Sequence, residues 1–416
     1  SVYARKATPA LAYDVLYVGQ AKDGTPMRMH YYVDAATGAI LGKQDAVKTG
    51  TLPGDRYGTG NLPAPPNVTA STGTGRSLMA GTVPVYGQRN NDRRYFELKD
   101  PTRGNTYITD IGNGFRGNGT LVIDGDNAWG NGLTSDRATV AVDAAYGFAK
   151  TWDFYKTQFG RLGIAGDGRG AFGAVHFQQK YNNAFWSDDC FCMAFGDGDG
   201  VNLKPLVSLD IMGHEMTHGV TAATADLIYA GETGGLNEAT SDILGTLVEY
   251  YVNNPQQPPN YLVGEAVFLP AAGQPALRSM YKPSLDGISD DCYPDGSDPA
   301  YLEFFKLYKD VHFTSGVANH FFYLLAEGAV VPTSGWVPEG GLTPNDLVCN
   351  ANTGLVGIGR DAAGQIWYRA LTVYMTSNTD YAGARAATLS AAADLYGVGS
   401  TQEAAVAAAW DAVNVH

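Results

Sequence analysis

The chain has 416 residues, 44% of them hydrophobic and 17% charged, which suits a folded protein of two domains and excludes a disordered one. Its formal net charge of −14 argues against nucleic acid as a partner and leaves carboxylates in reserve as Ca²⁺ ligands. No run approaches the length of a membrane span, so no membrane association is expected.

Residues 11–48 alternate apolar and polar in short runs, broken at Asp23-Gly24 and Ala36-Thr37-Gly38, and predict a small antiparallel sheet. The first residues read as the middle of a domain, so an upstream segment is expected. Residues 49–75 are rich in Gly, Pro, Thr and Asn with little periodicity, the composition of a linker open to proteolytic nicking. From Leu78 to Val175 short β-type runs alternate with Gly/Asn/Asp turns. One helix interrupts them at 137–159, where Ala141, Tyr146, Phe148, Ala149, Trp152 and Tyr155 fall near helical spacing. Beyond 205 helices dominate: around 214–218, then 235–252, 315–328, 381–395 and 401–413. A β-rich half followed by a helical half predicts an α+β fold with a cleft between two domains.

Cys190, Cys192, Cys292 and Cys349 allow three pairings, which the sequence leaves open, and none has a histidine at zinc-finger spacing. With 52 Gly, 25 Tyr and few Lys or Arg, the composition fits an exported bacterial protein in which cystines persist.

The most informative stretch is His214-Glu215-Met216-Thr217-His218. On a helix, His214 and His218 stand one turn apart on one face and can share one Zn²⁺, with Glu215 beside the metal as a base. Glu238 follows twenty residues later, and Asp242 lies four beyond it. Three protein ligands leave the fourth tetrahedral position to water, which distinguishes a catalytic zinc from a structural one. The pattern points to a zinc hydrolase.

From about residue 72 onward the chain resembles the thermolysin-like neutral metalloproteases. The resemblance rests on the zinc motif, on Tyr181-Asn-Asn-Ala-Phe-Trp186 with the Gly196-Asp-Gly-Asp-Gly200 turn, and on Asp310-Val-His312 followed by Ser315-Gly316. Residues 1–48 resemble the last part of that family's propeptide. The resemblance implies a β-rich catalytic domain over 76–210 and an α-helical one over 211–416, with the zinc site between them. It also implies a secreted, calcium-binding endopeptidase made as a zymogen, acting on proteins and peptides, with its own propeptide as intramolecular inhibitor and chaperone. A monomer is expected.

By the same resemblance, His214, His218 and Glu238 are zinc ligands and Glu215 is the general base. Tyr229 and His312 are donors to the developing oxyanion, and Asp310 orients His312. Asp242 and Asn237 hold the zinc-binding imidazoles. Asn183, the backbone of Ala184 and Arg278 bind the substrate main chain. Leu203, Leu206, Ile211, Val263, Val267 and Leu277 form an aliphatic pocket for the side chain just after the cut. Asp210, Glu249, Glu265 and Asn260 are implied calcium ligands, with Asn260 and Leu262 replacing two carboxylates and so favouring one ion over two. Asp124 and Asp126 match a surface calcium site, and Pro275 removes a further one. An exopeptidase would need a group closing the cleft, and a silent zinc-stabilised module has no chemical need for Glu215, Tyr229 and His312.

Overall fold

The structure is a computed structural model that describes residues 2–3, 10–20, 26–35, 37–45 and 67–416. The Asp23-Gly24 turn and residues 49–66 of the expected linker, with most of the interval assigned to the maturation cut, lie outside the described residues.

Four strands, β1 (Val2–Tyr3), β2 (Ala10–Gln20), β3 (Pro26–Asp34) and β4 (Ile40–Asp45), pair antiparallel in chain order. Asp34 closes the β3–β4 turn, its carboxylate accepting from the Thr37 N–H at 2.8 Å while its carbonyl accepts from Gly38 at 2.9 Å.

The expected linker ends earlier than its composition suggests. Residues 68–75 belong to a nine-residue strand, β5 (Val68–Arg76), paired antiparallel with β6 (Thr82–Asn90). This strand is rich in Thr and Gly because neighbours approach its backbone closely. A Cβ on Gly75 would lie 2.5 Å from side-chain atoms of Val85 and Val142.

Strands β7 (Tyr95–Glu97), β8 (Lys99–Asp100), β9 (Thr106–Asp110), β10 (Thr120–Leu121), β11 (Ile123–Asp124) and β12 (Ala128–Trp129) complete the first half of this domain. The helix α1 (Arg137–Phe159) follows, over the range its periodicity predicts. Asp136 caps its start by accepting from Ala138 N, and Gly160 ends it in the left-handed conformation. Then come β13 (Phe172–Phe177), β14 (Ala184–Ser187) and β15 (Cys192–Gly196). One sheet runs β11-β7-β6-β5-β12, and the other runs β10-β9-β13-β15-β14, leaving β14 at its edge.

The second half is built on α2 (Leu209–Ala222) and α3 (Gly231–Val252), both buried over nearly their whole length. They meet backbone to backbone, since a Cβ on Gly213 would lie 2.8 Å from the Gly245 Cα. Strands β16 (Leu262–Val263) and β17 (Arg278–Ser279) form a short ribbon beside them. Helices α4 (Pro299–Leu307), α5 (Val311–Thr314), α6 (Gly316–Glu327), α7 (Arg360–Arg369), α8 (Tyr381–Tyr396) and α9 (Thr401–Asp411) close the domain. Trp410 on α9 stacks on Phe321 of α6 at 3.7 Å between ring centroids. One hydrophobic cluster spans both halves, and a smaller one lies around Phe172, Phe177 and Phe185. Cystines join Cys190 to Cys192 and Cys292 to Cys349. No helix among the described residues is long and apolar enough to cross a membrane.

Candidate metal centre and cleft

Helical pitch brings His214 and His218 together on α2, their ring centroids 4.7 Å apart. The close crossing of α2 and α3 then carries Glu238 to them. The His214 and His218 Nε2 atoms are 3.1 Å apart, and Glu238 oxygens lie 3.4 and 3.3 Å from them. His214 Nδ1 donates to Asp242 Oδ1 at 2.8 Å, and His218 Nδ1 donates to Asn237 Oδ1 at 2.8 Å. The Asn237 amide is oriented by its own Nδ2, which donates to Leu227 O at 2.8 Å.

With both Nδ1 atoms acting as donors, two Nε2 lone pairs and a buried carboxylate face a common point. A cation between them would satisfy all three. Bonds of about 2.0–2.1 Å to a tetrahedral ion would separate the ligand atoms by about 3.3 Å, close to the spacings found. The electrostatics agree. Burial opposes a charged imidazole at His214, but Glu238 and Asp242 outweigh it and raise the ring to about 9. Burial likewise opposes an ionised Glu238, and His312, His214 and His218 hold it well below the usual carboxylate range. The pocket favours positive charge at its centre and a permanent carboxylate beside it.

Glu215 is 5% exposed and its Oε2 has no hydrogen-bond partner among the described residues. Burial pushes its carboxyl up from the ordinary value, toward the range of a base that can take and return a proton. Tyr229 directs its hydroxyl to Glu238 Oε1 and lies 3.3 Å from His312 Nε2. Asp310 caps α5 and accepts from both the backbone N–H and the ring Nδ1 of His312. Arg278 grips Asp242 with Nε and Nη2 at 2.8 and 2.6 Å.

These groups open onto a pocket of about 60 Å³. Asn183, Ala184, Leu206, Ile211, Val263, Leu277 and Arg278 line it together with His214, Glu215 and His312. Leu203 and Val267 are not among its lining residues. Both are buried in the main core, and the Leu203 backbone bridges to Phe268. Asn182, which the sequence did not single out, also lines the pocket and donates to Asp199 Oδ2 at 3.2 Å. Its only sequence signal is its place beside Asn183.

A second cluster joins Asp210, Glu249 and Glu265, whose carboxylate oxygens come within 4.8 Å of one another. Both oxygens of Glu249 and one of Glu265 are buried without a partner among the described residues. Burial, and then Asp210, lifts Glu265 to about 8. Asn260 does not present an oxygen to this cluster as expected. Its Oδ1 accepts from Leu262 N at 2.6 Å, so its Nδ2 is what faces Glu265, at 2.8 Å. Asp124 Oδ1 accepts from the backbone of Asp126 and Asn127, and Asp126 Oδ1 accepts from Ala128, so these oxygens cap their own turn.

The fold and the site define a class: a metal-dependent hydrolase with a two-histidine, one-carboxylate centre and a buried carboxyl beside it. Family models described as thermolysin metallopeptidase, catalytic domain, and thermolysin metallopeptidase, alpha-helical domain, match residues 72–222 and 225–415. The chain belongs to the thermolysin metallopeptidase family. That family is zinc-dependent, which agrees with the donor set at this centre.

The chain is 45% identical over 414 residues to the transglutaminase-activating metalloprotease of Streptomyces mobaraensis, covering 100% of this chain and 49% of that protein. It is 34% identical over 420 residues to bacillolysin of Bacillus caldolyticus, covering 100% and 69%. It therefore spans about half the length of the first relative and about two thirds of the second. Among solved structures, it is similar to the precursor of protealysin, a metalloproteinase from Serratia proteamaculans. The TM-score is 0.55 with 28% identity, over 75% of this chain and 87% of that one.

Proposed function

We propose that this chain is a secreted zinc endopeptidase cleaving on the N-terminal side of bulky hydrophobic residues. The observation that carries the reading is the convergence of His214, His218 and Glu238, with buried Glu215 opening onto a pocket walled by Leu206, Ile211, Val263 and Leu277. Aliphatic walls reward a large apolar side chain by burying it, and offer no partner to a charged one.

Zinc held by His214, His218 and Glu238 would supply an acidified water and polarise the scissile carbonyl. Glu215 takes the proton from the attacking water and delivers it to the leaving amine. Tyr229 and His312 donate to the oxygen on which negative charge develops, with Asp310 holding the His312 ring in place. Asp242 and Asn237 fix the tautomers of the two histidine ligands. Asn183, the backbone of Ala184 and the Arg278 nitrogen not engaged by Asp242 hold the substrate main chain in the cleft.

In the same reading, Asp210, Glu249 and Glu265 hold one Ca²⁺, because the three carboxylates converge and oxygens of Glu249 and Glu265 lack hydrogen-bond partners among the described residues, an arrangement that a cation stabilises. Residues 1–48 are the end of a propeptide that blocks the cleft until the chain is cut between it and the catalytic domains. The likeness to a protease precursor supports this.

Casein hydrolysis before and after chelation, with Zn²⁺ restoration, tests the activity. A peptide library then reads the residue after the cut. Activity indifferent to chelation, or cleavage preferring charged residues after the cut, would overturn the reading.

A further inference from the structure

We infer that Asn319 is a positioning residue for the metal centre, acting through Asp242. The inference rests on the assignment of His214, His218 and Glu238 as the zinc ligands.

Asn319 sits on α6, 1% exposed, among the buried apolar residues Val317, Ala318, Phe321 and Phe322. Its Nδ2 donates to Asp242 Oδ2 at 2.7 Å. Asp242 then has a complete set of donors. Oδ1 accepts from His214 Nδ1 at 2.8 Å and from Arg278 Nη2 at 2.6 Å. Oδ2 accepts from Arg278 Nε at 2.8 Å and from Asn319. A carboxylate offers about four lone-pair directions, and here four donors from three elements, α2, β17 and α6, occupy them.

The arrangement has a mechanical consequence. Arg278 fixes the plane of the Asp242 carboxylate, since a guanidinium fork meets both oxygens side by side. It does not stop that plane from sliding away from α2. Asn319 pulls on the oxygen that His214 does not use, so Oδ1 stays aimed at the imidazole. The ring orientation of His214, and with it the direction of the Nε2 lone pair toward the cation, then follows.

Asn319 also makes a poor purely structural residue. Its Oδ1 is buried with no partner among the described residues, so half of the amide is unsatisfied inside the protein. An apolar side chain of the same volume would pack α6 without that defect. What it would lack is the donor to Asp242.

The test uses the full chain and an Asn319→Leu variant, which conserves volume and removes the donor. Zinc affinity is measured by competition with a chromophoric chelator, and fold by circular dichroism and thermal melting. The expected result is a zinc affinity lowered about tenfold or more in a variant with wild-type secondary structure. In an Asp242→Asn background, the same Asn319→Leu change adds little, because the carboxylate through which it acts is gone. Unchanged zinc affinity in Asn319→Leu, or an equal loss in the Asp242→Asn background, overturns the inference. So does failure of both Asn319→Leu and Asn319→Ala to fold in saturating zinc, which makes the residue structural. If the wild-type chain itself binds no zinc, the proposed function fails instead.

Discussion

One oxygen of Asp310 holds His312 twice, accepting from its backbone N–H at 2.9 Å and from its ring Nδ1 at 2.7 Å. The oxygen that aims the ring is thus itself held in place by the cap of the helix that carries it. Burial disfavours the charged ring, but Glu238 and Asp310 overcome this and raise its pKa. The cationic donor is thus present at low pH and lost as pH rises through that raised value. Replacing Asp310 with Asn removes one of the raising influences. The alkaline limb of the kcat/KM profile is expected to move to lower pH, with kcat reduced. His312→Ala is expected to lower kcat by about 10²–10³, the cost of losing one oxyanion donor. A pH–rate profile of the two variants checks both.

Glu215 sits beside the ligand set without belonging to it. Glu215→Gln is expected to leave zinc content unchanged by atomic absorption and to reduce kcat by about 10²–10⁴. Loss of zinc in this variant would place Glu215 among the ligands and remove its role as a base.

The Asp210, Glu249 and Glu265 cluster gives a stability prediction with a definite sign. Without a bound cation, Glu265 titrates near 8, raised by burial and Asp210, and Glu249 is likewise raised. Their folded pKa values lie above the unfolded ones, so the calcium-free protein binds more protons when folded and loses stability as pH rises from about 4.5 through 8. Calcium at 100 times its dissociation constant is expected to add about 2.7 kcal/mol and flatten that slope. Thermal melts at pH 5 and pH 8, with and without calcium, read the effect. Glu249→Gln is expected to abolish the calcium response.

The two cystines are expected to differ in worth. Cys292–Cys349 ties residues 57 apart, and the chain-entropy relation gives about 4 kcal/mol for a loop of that length. Cys190 and Cys192 are two apart and constrain the unfolded chain far less. Urea unfolding of Cys292→Ser/Cys349→Ser against Cys190→Ser/Cys192→Ser should rank them in that order.

What could be read from the sequence depended on how local the physics was. His214 and His218 meet because of helix pitch alone, so five residues were enough to place them together. The long helix at 137–159 followed from its own periodicity, whereas the cystine pairing needed the fold. Asn319 escaped notice because its partner Asp242 is 77 positions away, and nothing in α6 but a polar residue in an apolar stripe marks it. The linker reading ran into β5 because a strand pressed against Val85 and Val142 needs glycine, as a flexible tether does.

Gly213 lies next to His214, and Gly245 sits a turn beyond Asp242. Neither touches the cation, yet their contact sets how far apart α2 and α3 stand. A methyl group on either would act as a wedge, and the imidazoles on one helix and the carboxylate on the other would part by nearly its thickness. The bite of the centre, and hence the size of ion it accepts, is governed by two residues that have no side chain.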